Sequence, residues 1–304
     1  MKKWMIAFVI ILILSTASIY LFIPSRFTLS KSVNINVPLS VASRYIADQK
    51  KWPLWWPGKN FEYDEYTYSV KDIIFNTVVT TIQKNKILIN SNINMESLKT
   101  DSVRIQWNYT VATSLNPIKR ILQYQTATHI NNNSGILLQS FRNFIEKTEN
   151  IYGMQITEGS TVDTILVSTK KTFPAMPNTA EIYAMIKDLQ NYINLQHAKQ
   201  AGNPMLNITK SDLAGLQVMV AVPADKILPG DGKINYKIMI PGNFIVAEVK
   251  GGAYTVSKAL NQLQLYTDDY KRTVMAIPFE VLITDRMKEP DTLKWITKLY
   301  IPVE

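Results

Sequence analysis

The chain has 304 residues, with 33 lysines and arginines against 24 acidic residues, two histidines and no cysteine, for a net charge of +9. The missing cysteines exclude disulfides, thiolate nucleophiles and cysteine-ligated metals. The two histidines, His129 and His197, offer no pair at metal-binding spacing.

The run Trp4 to Ile23 carries no charge. Its roughly 20 residues make about 30 Å of helix, the thickness of a hydrocarbon core. The small residues Ser15 to Ser18 lie inside the run and bulky Tyr20, Leu21 and Phe22 follow, so an uncleaved anchor over residues 1–26 is expected rather than a signal peptide. Lys2 and Lys3 place the N-terminus in the cytoplasm and the bulk of the chain on the extracytoplasmic, periplasmic side, although Arg26 and Lys31 weaken the asymmetry. Nearly all of the positive excess lies before residue 150, beside this segment. Its scatter reads as ordinary solvated lysines, with a complement to anionic headgroups as the rival reading.

Residues 27–150 open with alternation in FTLSKSVNINV, where Val33, Ile35 and Val37 share one face of a strand. Pro38 suits a first helical turn, and Val41, Tyr45 and Ile46 recur at helical spacing up to a break at Pro53. Strand-like runs follow at Lys71 to Gln83, Lys86 to Met95, Ser102 to Thr113 and Arg120 to His129. A closing helix is expected over Ser134 to Asn150, with Ile136, Leu137, Phe141, Phe144 and Ile145 as its stripe. This order, together with VPLSVASRYIADQKKWPLWWPG, resembles the polyketide-cyclase and START-related (SRPBCC) fold. The resemblance implies an antiparallel sheet gripping a long C-terminal helix over an apolar cavity. Trp52, Trp55, Trp56 and Phe61 are candidates for the cavity's mouth, for a packed plug, or for an interfacial aromatic belt.

Residues 151–304 read as one unit written twice: Thr161 to Val222 and Asn243 to Val303 each run strand, helix, strand, strand. NPMLNITKSD parallels IPFEVLITDR, and VAVP parallels YIPV. FPAMPNTAEIYAMIKDLQNYI, KGGAY, PFEVLITDR and EPDTLKWITKLYIPV resemble the gyrase-inhibitor-like effector-binding domain of AraC-type and multidrug-responsive regulators. The resemblance implies a small-molecule pocket at the pseudo-two-fold seam. In that family a glutamate commonly follows the threonine that here is Thr297; this chain has Lys298. Candidate pocket residues are Tyr152, Tyr183, Glu248, Tyr254, Phe279, Trp295, Lys298 and Tyr300, aromatic walls with sparse polar groups. Lys298 alternates with Ile296 and Tyr300, so the three share a face.

The expected architecture is therefore α+β: anchor, helix-grip domain, duplicated effector-binding-like domain. There is no Gly-x-Ser-x-Gly elbow, Rossmann glycine pattern or phosphate loop; Pro229 to Lys233 reads as a turn, and the adjacent Asp268 and Asp269 point to different faces of a helix. No catalytic residue, metal or cofactor is expected. A membrane-anchored binder of a hydrophobic or amphipathic small molecule is the leading expectation. Its rivals are a hydrolase of small reactive electrophiles, an activity found in some relatives of the effector-binding domain, and a scaffold with collapsed pockets. A nucleic-acid partner is not expected, because no helix-turn-helix precedes the sensing half.

Overall fold

End signals and apolar spacing set the elements of two compact units, Met1–Lys147 and Thr148–Glu304. The structure, a computed structural model, describes every residue except Met1, Lys86, Val162, Asp163, 211–214, Asp231 and Ile240. Ser211 and Asp212 of the repeated strand rhythm, and Asp231 of the glycine cluster, therefore lie outside the described residues.

The first unit begins with α1 (Lys2–Phe22), long and apolar enough to cross a membrane and with none of its apolar window buried. Then come β1 (Arg26–Ile35), α2 (Leu39–Ile46), a 3-10 turn at Gln49–Leu54, β2 (Glu62–Tyr63), β3 (Tyr66–Ile74), β4 (Thr77–Lys84), β5 (Ile87–Lys99), β6 (Ser102–Ala112) and α3 (Pro117–Ile145). The strands form one antiparallel sheet in the order β1-β6-β5-β4-β3-β2. Along β1 burial alternates residue by residue and ends on fully buried Ile35, the pattern of a strand with one covered face.

Two expected strands are corrected. The run Lys71 to Gln83 is not one strand: it reverses after Ile74, where Phe75 sits at φ 51°, and continues as β4. Arg120 to His129 is not a strand but part of α3, which starts well before Ser134 and stops at Ile145. The cause is local. The Asn116 carboxamide oxygen accepts from the backbone N–H groups of Ile118 and Lys119 at 3.0 and 3.1 Å, and Pro117 occupies the first turn, a strong start signal. Ala127, Ile130, Ser134, Leu137, Phe141 and Ile145 then bury one stripe. His129 is thus on a helix, its Nε2 3.1 Å from Asp64 Oδ2. His197 lies two residues beyond a helix that ends at Leu195, at φ 51°.

The second unit comprises α4 (Thr148–Tyr152), β7 (Ile156–Thr161), β8 (Thr164–Phe173), α5 (Thr179–Leu195), β9 (Met205–Lys210), β10 (Leu216–Pro223), β11 (Asn235–Met239), β12 (Gly242–Lys250), α6 (Ala253–Asp269), β13 (Phe279–Leu282) and β14 (Ile296–Val303). α5 starts with a capping box in which Asn178 and Glu181 satisfy each other's backbone N–H groups. The sheet is antiparallel, in the order β11-β8-β10-β9-β13-β14-β12-β7. That order is two-fold symmetric about the β9–β13 seam, so the repeat seen in the sequence is a repeat in space. Each copy carries one more strand ahead of its four-element repeat, and that leading strand crosses over: β7 pairs with β12 and β11 with β8. α5 and α6 cover one face, with Ile186, Leu189 and Ile193 packed on Val218, Val220 and Val222, and Val256 and Leu263 packed with Ile245, Leu299 and Ile301. Alternation turns the other face of every strand away from the helices.

Candidate ligand sites

The first unit holds a cleft of about 800 Å³ between the opening turns of α3 and the ends of β5 and β6 nearest them. This is the size of small-molecule pockets generally. Ile87, Ile89, Val111 and Leu122 supply apolar wall, and Asn90, Asn92, Asn108, Lys119 and Gln123 supply a few polar groups. The Tyr109 hydroxyl donates to the Ala127 carbonyl at 2.8 Å, pinning helix to sheet at the inner wall. Burial pushes that phenol well above its usual range, so it stays a neutral donor.

Trp52, Trp55, Trp56 and Phe61 line no part of this cleft. Trp52 is fully buried and stacks on Trp56 at 5.1 Å and 6°, with Phe61 edge-on at 6.2 Å; Trp55 meets the Phe141 ring of α3 edge-on at 4.9 Å. Trp52 Nε1 donates to the Ile46 carbonyl at 2.8 Å and Trp56 Nε1 to that of Glu62 at 3.0 Å. The aromatics pack on one another and on α3.

In the second unit, the helix-free face carries an aromatic cluster. Phe279 and Tyr300 face each other across β13 and β14 and stack at 5.1 Å and 3°, and Phe244 of β12 meets both at 5.9 Å. Leu166, Met205 and Ala221 continue the apolar surface toward Met239 and Val281, with a small hollow of about 100 Å³ between them. Lys298 is paired in register with both Glu248 and Val281, on this same face; its Nζ lies 3.8 Å from Glu248 Oε2, with both side chains part exposed. Lys237 lines the hollow and reaches Met219 Sδ at 3.3 Å.

The structure thus divides the eight candidates of this half. Phe279, Tyr300, Lys298 and Glu248 come together. Tyr183 and Trp295 meet instead around Arg286 on the helix-covered side. The Tyr183 hydroxyl accepts from Arg286 N at 2.8 Å and donates to the Thr284 carbonyl at 3.2 Å, and the guanidinium lies 4.9 Å over the Trp295 ring. Tyr152 is buried and donates to Asp269 Oδ2 at 2.9 Å, while Tyr254 is 83% exposed at the start of α6. Phe244, Met205 and Lys237 escaped the sequence reading. Phe244 was within reach, since it lies four residues before Glu248 and so on the same strand face.

Among the described residues no cluster of three or more histidine, cysteine or acidic side chains is placed to hold a metal.

No family model and no curated protein matches the chain. Among solved structures, the C-terminal domain of EcmrR is similar at 16% identity and a TM-score of 0.44, over 50% of this chain and 98% of its own. SAV2435 bound to tetraphenylphosphonium is similar at 18% identity and 0.37, over 50% of this chain and 94% of its own. The Aha1 dimer from Colwellia psychrerythraea is similar at 12% identity and 0.31, over 40% of this chain and 96% of its own. At these identities and scores, function is read from the geometry of the sites themselves.

Proposed function

We propose that the chain is a membrane-anchored binding protein for a small apolar or amphipathic molecule, with α1 as its span and both sheet units on the extracytoplasmic side. The observation that carries this reading is the cleft under α3: about 800 Å³, walled by aliphatic side chains, with a handful of amide and ammonium groups to orient a ligand. The first unit is read as START-related and the second as effector-binding-like, the resemblances their sequences carry. The aromatic face of Phe244, Phe279 and Tyr300 supports a second, shallower seat for a flat ring.

Native mass spectrometry of the detergent-extracted full chain tests the main reading. A co-purifying small molecule is expected, and Thr126→Trp, which puts an indole into the cleft from a part-exposed position of α3, is expected to reduce its occupancy. Protein that arrives empty and also fails to take up a fluorescent fatty acid overturns it. A C-terminal reporter active only outside the cytoplasm checks the orientation; an inactive one reverses it.

A further inference from the structure

The cleft's rim and the end of α1 are clamped together. The backbone N–H of Thr113 donates to the Ser25 carbonyl at 2.9 Å and its hydroxyl to the Pro24 carbonyl at 2.9 Å. Arg120 Nε donates to the Ile23 carbonyl at 2.6 Å, its guanidinium lies 4.6 Å over the Tyr20 ring, and the Tyr20 hydroxyl donates to the Leu115 carbonyl. Tyr20 lies within the last turn of α1. At about 1.5 Å of rise per residue, the segment from Leu115 into α3 is therefore level with the end of the apolar helix rather than beyond it.

What that segment shows to solvent is apolar: Leu115 is 84% exposed, Ile118 69% and Leu122 56%, and Leu122 also lines the cleft. Arg26 pairs with Ala112, so the cleft-lining end of β6 sits directly beside the chain's exit from α1. An exposed apolar lip held at this level, continuous with a binding cleft, has one partner that fits its chemistry, namely the boundary between headgroups and acyl chains.

We propose that Leu115, Ile118 and Leu122 dip into the bilayer beside α1, so that the cleft opens onto the membrane and takes its ligand from the lipid phase. Lys119, in the same helical turn and in the cleft lining, is placed to meet an anionic headgroup as the lip inserts. The inference rests on reading α1 as a span and the cleft as a ligand site.

The chain has no cysteine, so single cysteines label cleanly. Four full-length variants, Val9→Cys, Leu115→Cys, Ile118→Cys and Leu98→Cys, are labelled with bimane in vesicles of phosphatidylcholine and phosphatidylglycerol. The vesicles carry doxyl-labelled lipid as quencher. Leu98 is near the far end of β5 from the cleft and serves as the control. Quenching at Leu115 and Ile118 is expected to exceed that at Leu98 by roughly threefold, as for side chains about 5–10 Å into the interface. If Val9 is quenched while Leu115 and Ile118 match Leu98, the lip is wrong and the span stands. If Val9 is not quenched, the span fails and the inference with it. As a second readout, Ile118→Asp, outside the cleft lining, is expected to slow uptake of a fluorescent phosphatidylglycerol from vesicles severalfold while leaving fatty-acid binding in detergent intact; equal uptake by the parent and the variant overturns loading from the bilayer.

Discussion

Arg286→Met should be the most damaging single substitution on the helix-covered side of the second unit. β13 aims Glu280 at that side, opposite Leu206 and Leu299. Arg286 supplies the counter-charge at 3.7 Å, is held by Thr297 Oγ1 at 2.8 Å, and keeps only 7% of its side chain exposed against 18% for Glu280. Removing the arginine leaves a carboxylate in a largely dry site, a change that costs about 3–5 kcal/mol. For a unit of this size that corresponds to a fall in Tm on the order of 10 °C. Replacing both partners, Arg286→Met with Glu280→Leu, removes the stranded charge and should recover much of the loss.

The pH dependence carries the same signature. Burial raises the Glu280 carboxyl above its usual range although Arg286 pulls it down. The native state therefore holds that proton more tightly than the unfolded chain, so the associated stability is present below the ordinary glutamate range and is lost as pH rises through the native pKa. Without Arg286 the upward shift grows. The variant should be weakest at neutral pH and partly rescued by acid, whereas Glu280→Gln should flatten the profile. Urea unfolding of the 148–304 fragment, followed by its single tryptophan, Trp295, reads all of this. A cost under about 1 kcal/mol for Arg286→Met, or a double variant as unstable as the single one, refutes the argument.

Trp52→Ala should cost about 3–5 kcal/mol in urea unfolding of the first unit, since a fully buried, stacked indole is removed; near-neutral stability there would mean that the aromatic group is not structural. Asn116→Ala should cost about 1 kcal/mol and fray the start of α3, seen as faster amide exchange at Ile118 and Lys119. Lys298→Glu places a second carboxylate opposite Glu248 and should move the preference of the aromatic face from anionic toward cationic dyes. Unchanged titration of matched dye pairs would leave Lys298 as a surface residue.

The parts of the fold written in short-range signals were legible in the sequence. Both repeats follow from their strand and helix order, and the Leu39–Ile46 helix follows from Pro38 and the spacing of Val41, Tyr45 and Ile46. The reversal between β3 and β4 was not, because Phe75 and Asn76 provide neither glycine nor proline, and Phe75 adopts the left-handed region against its own preference. The start of α3 was signalled by Asn116 and Pro117 but masked by Ile121, Tyr124 and Thr126, which read as strand formers. At the sites the same division holds. Lys298 and Tyr300 share a face by alternation alone, whereas their meeting with Phe279 and Phe244 depends on strand register, and the cleft under α3 on a helix the sequence reading had begun too late.

The crossing of β7 to β12 and of β11 to β8 makes the second unit equivalent to a strand-swapped dimer whose two copies happen to share one chain. Neither copy is complete alone. An isolated copy would have its leading strand without a partner, the outer edge of its second strand bare, and its seam edge open, three sticky borders that only another copy could close. During synthesis β7 must wait for residues 242–247 before it can pair, so this sheet closes late and as a whole, with the long sequence separations that slow folding. The copies are joined after β10, where Ala224 and Leu228 are buried in the core beneath α5. Carrying both copies in one chain fixes their one-to-one ratio and lets them differ: one half holds Lys298 and Tyr300 where the other holds Met219 and Ala221 on the equivalent strand.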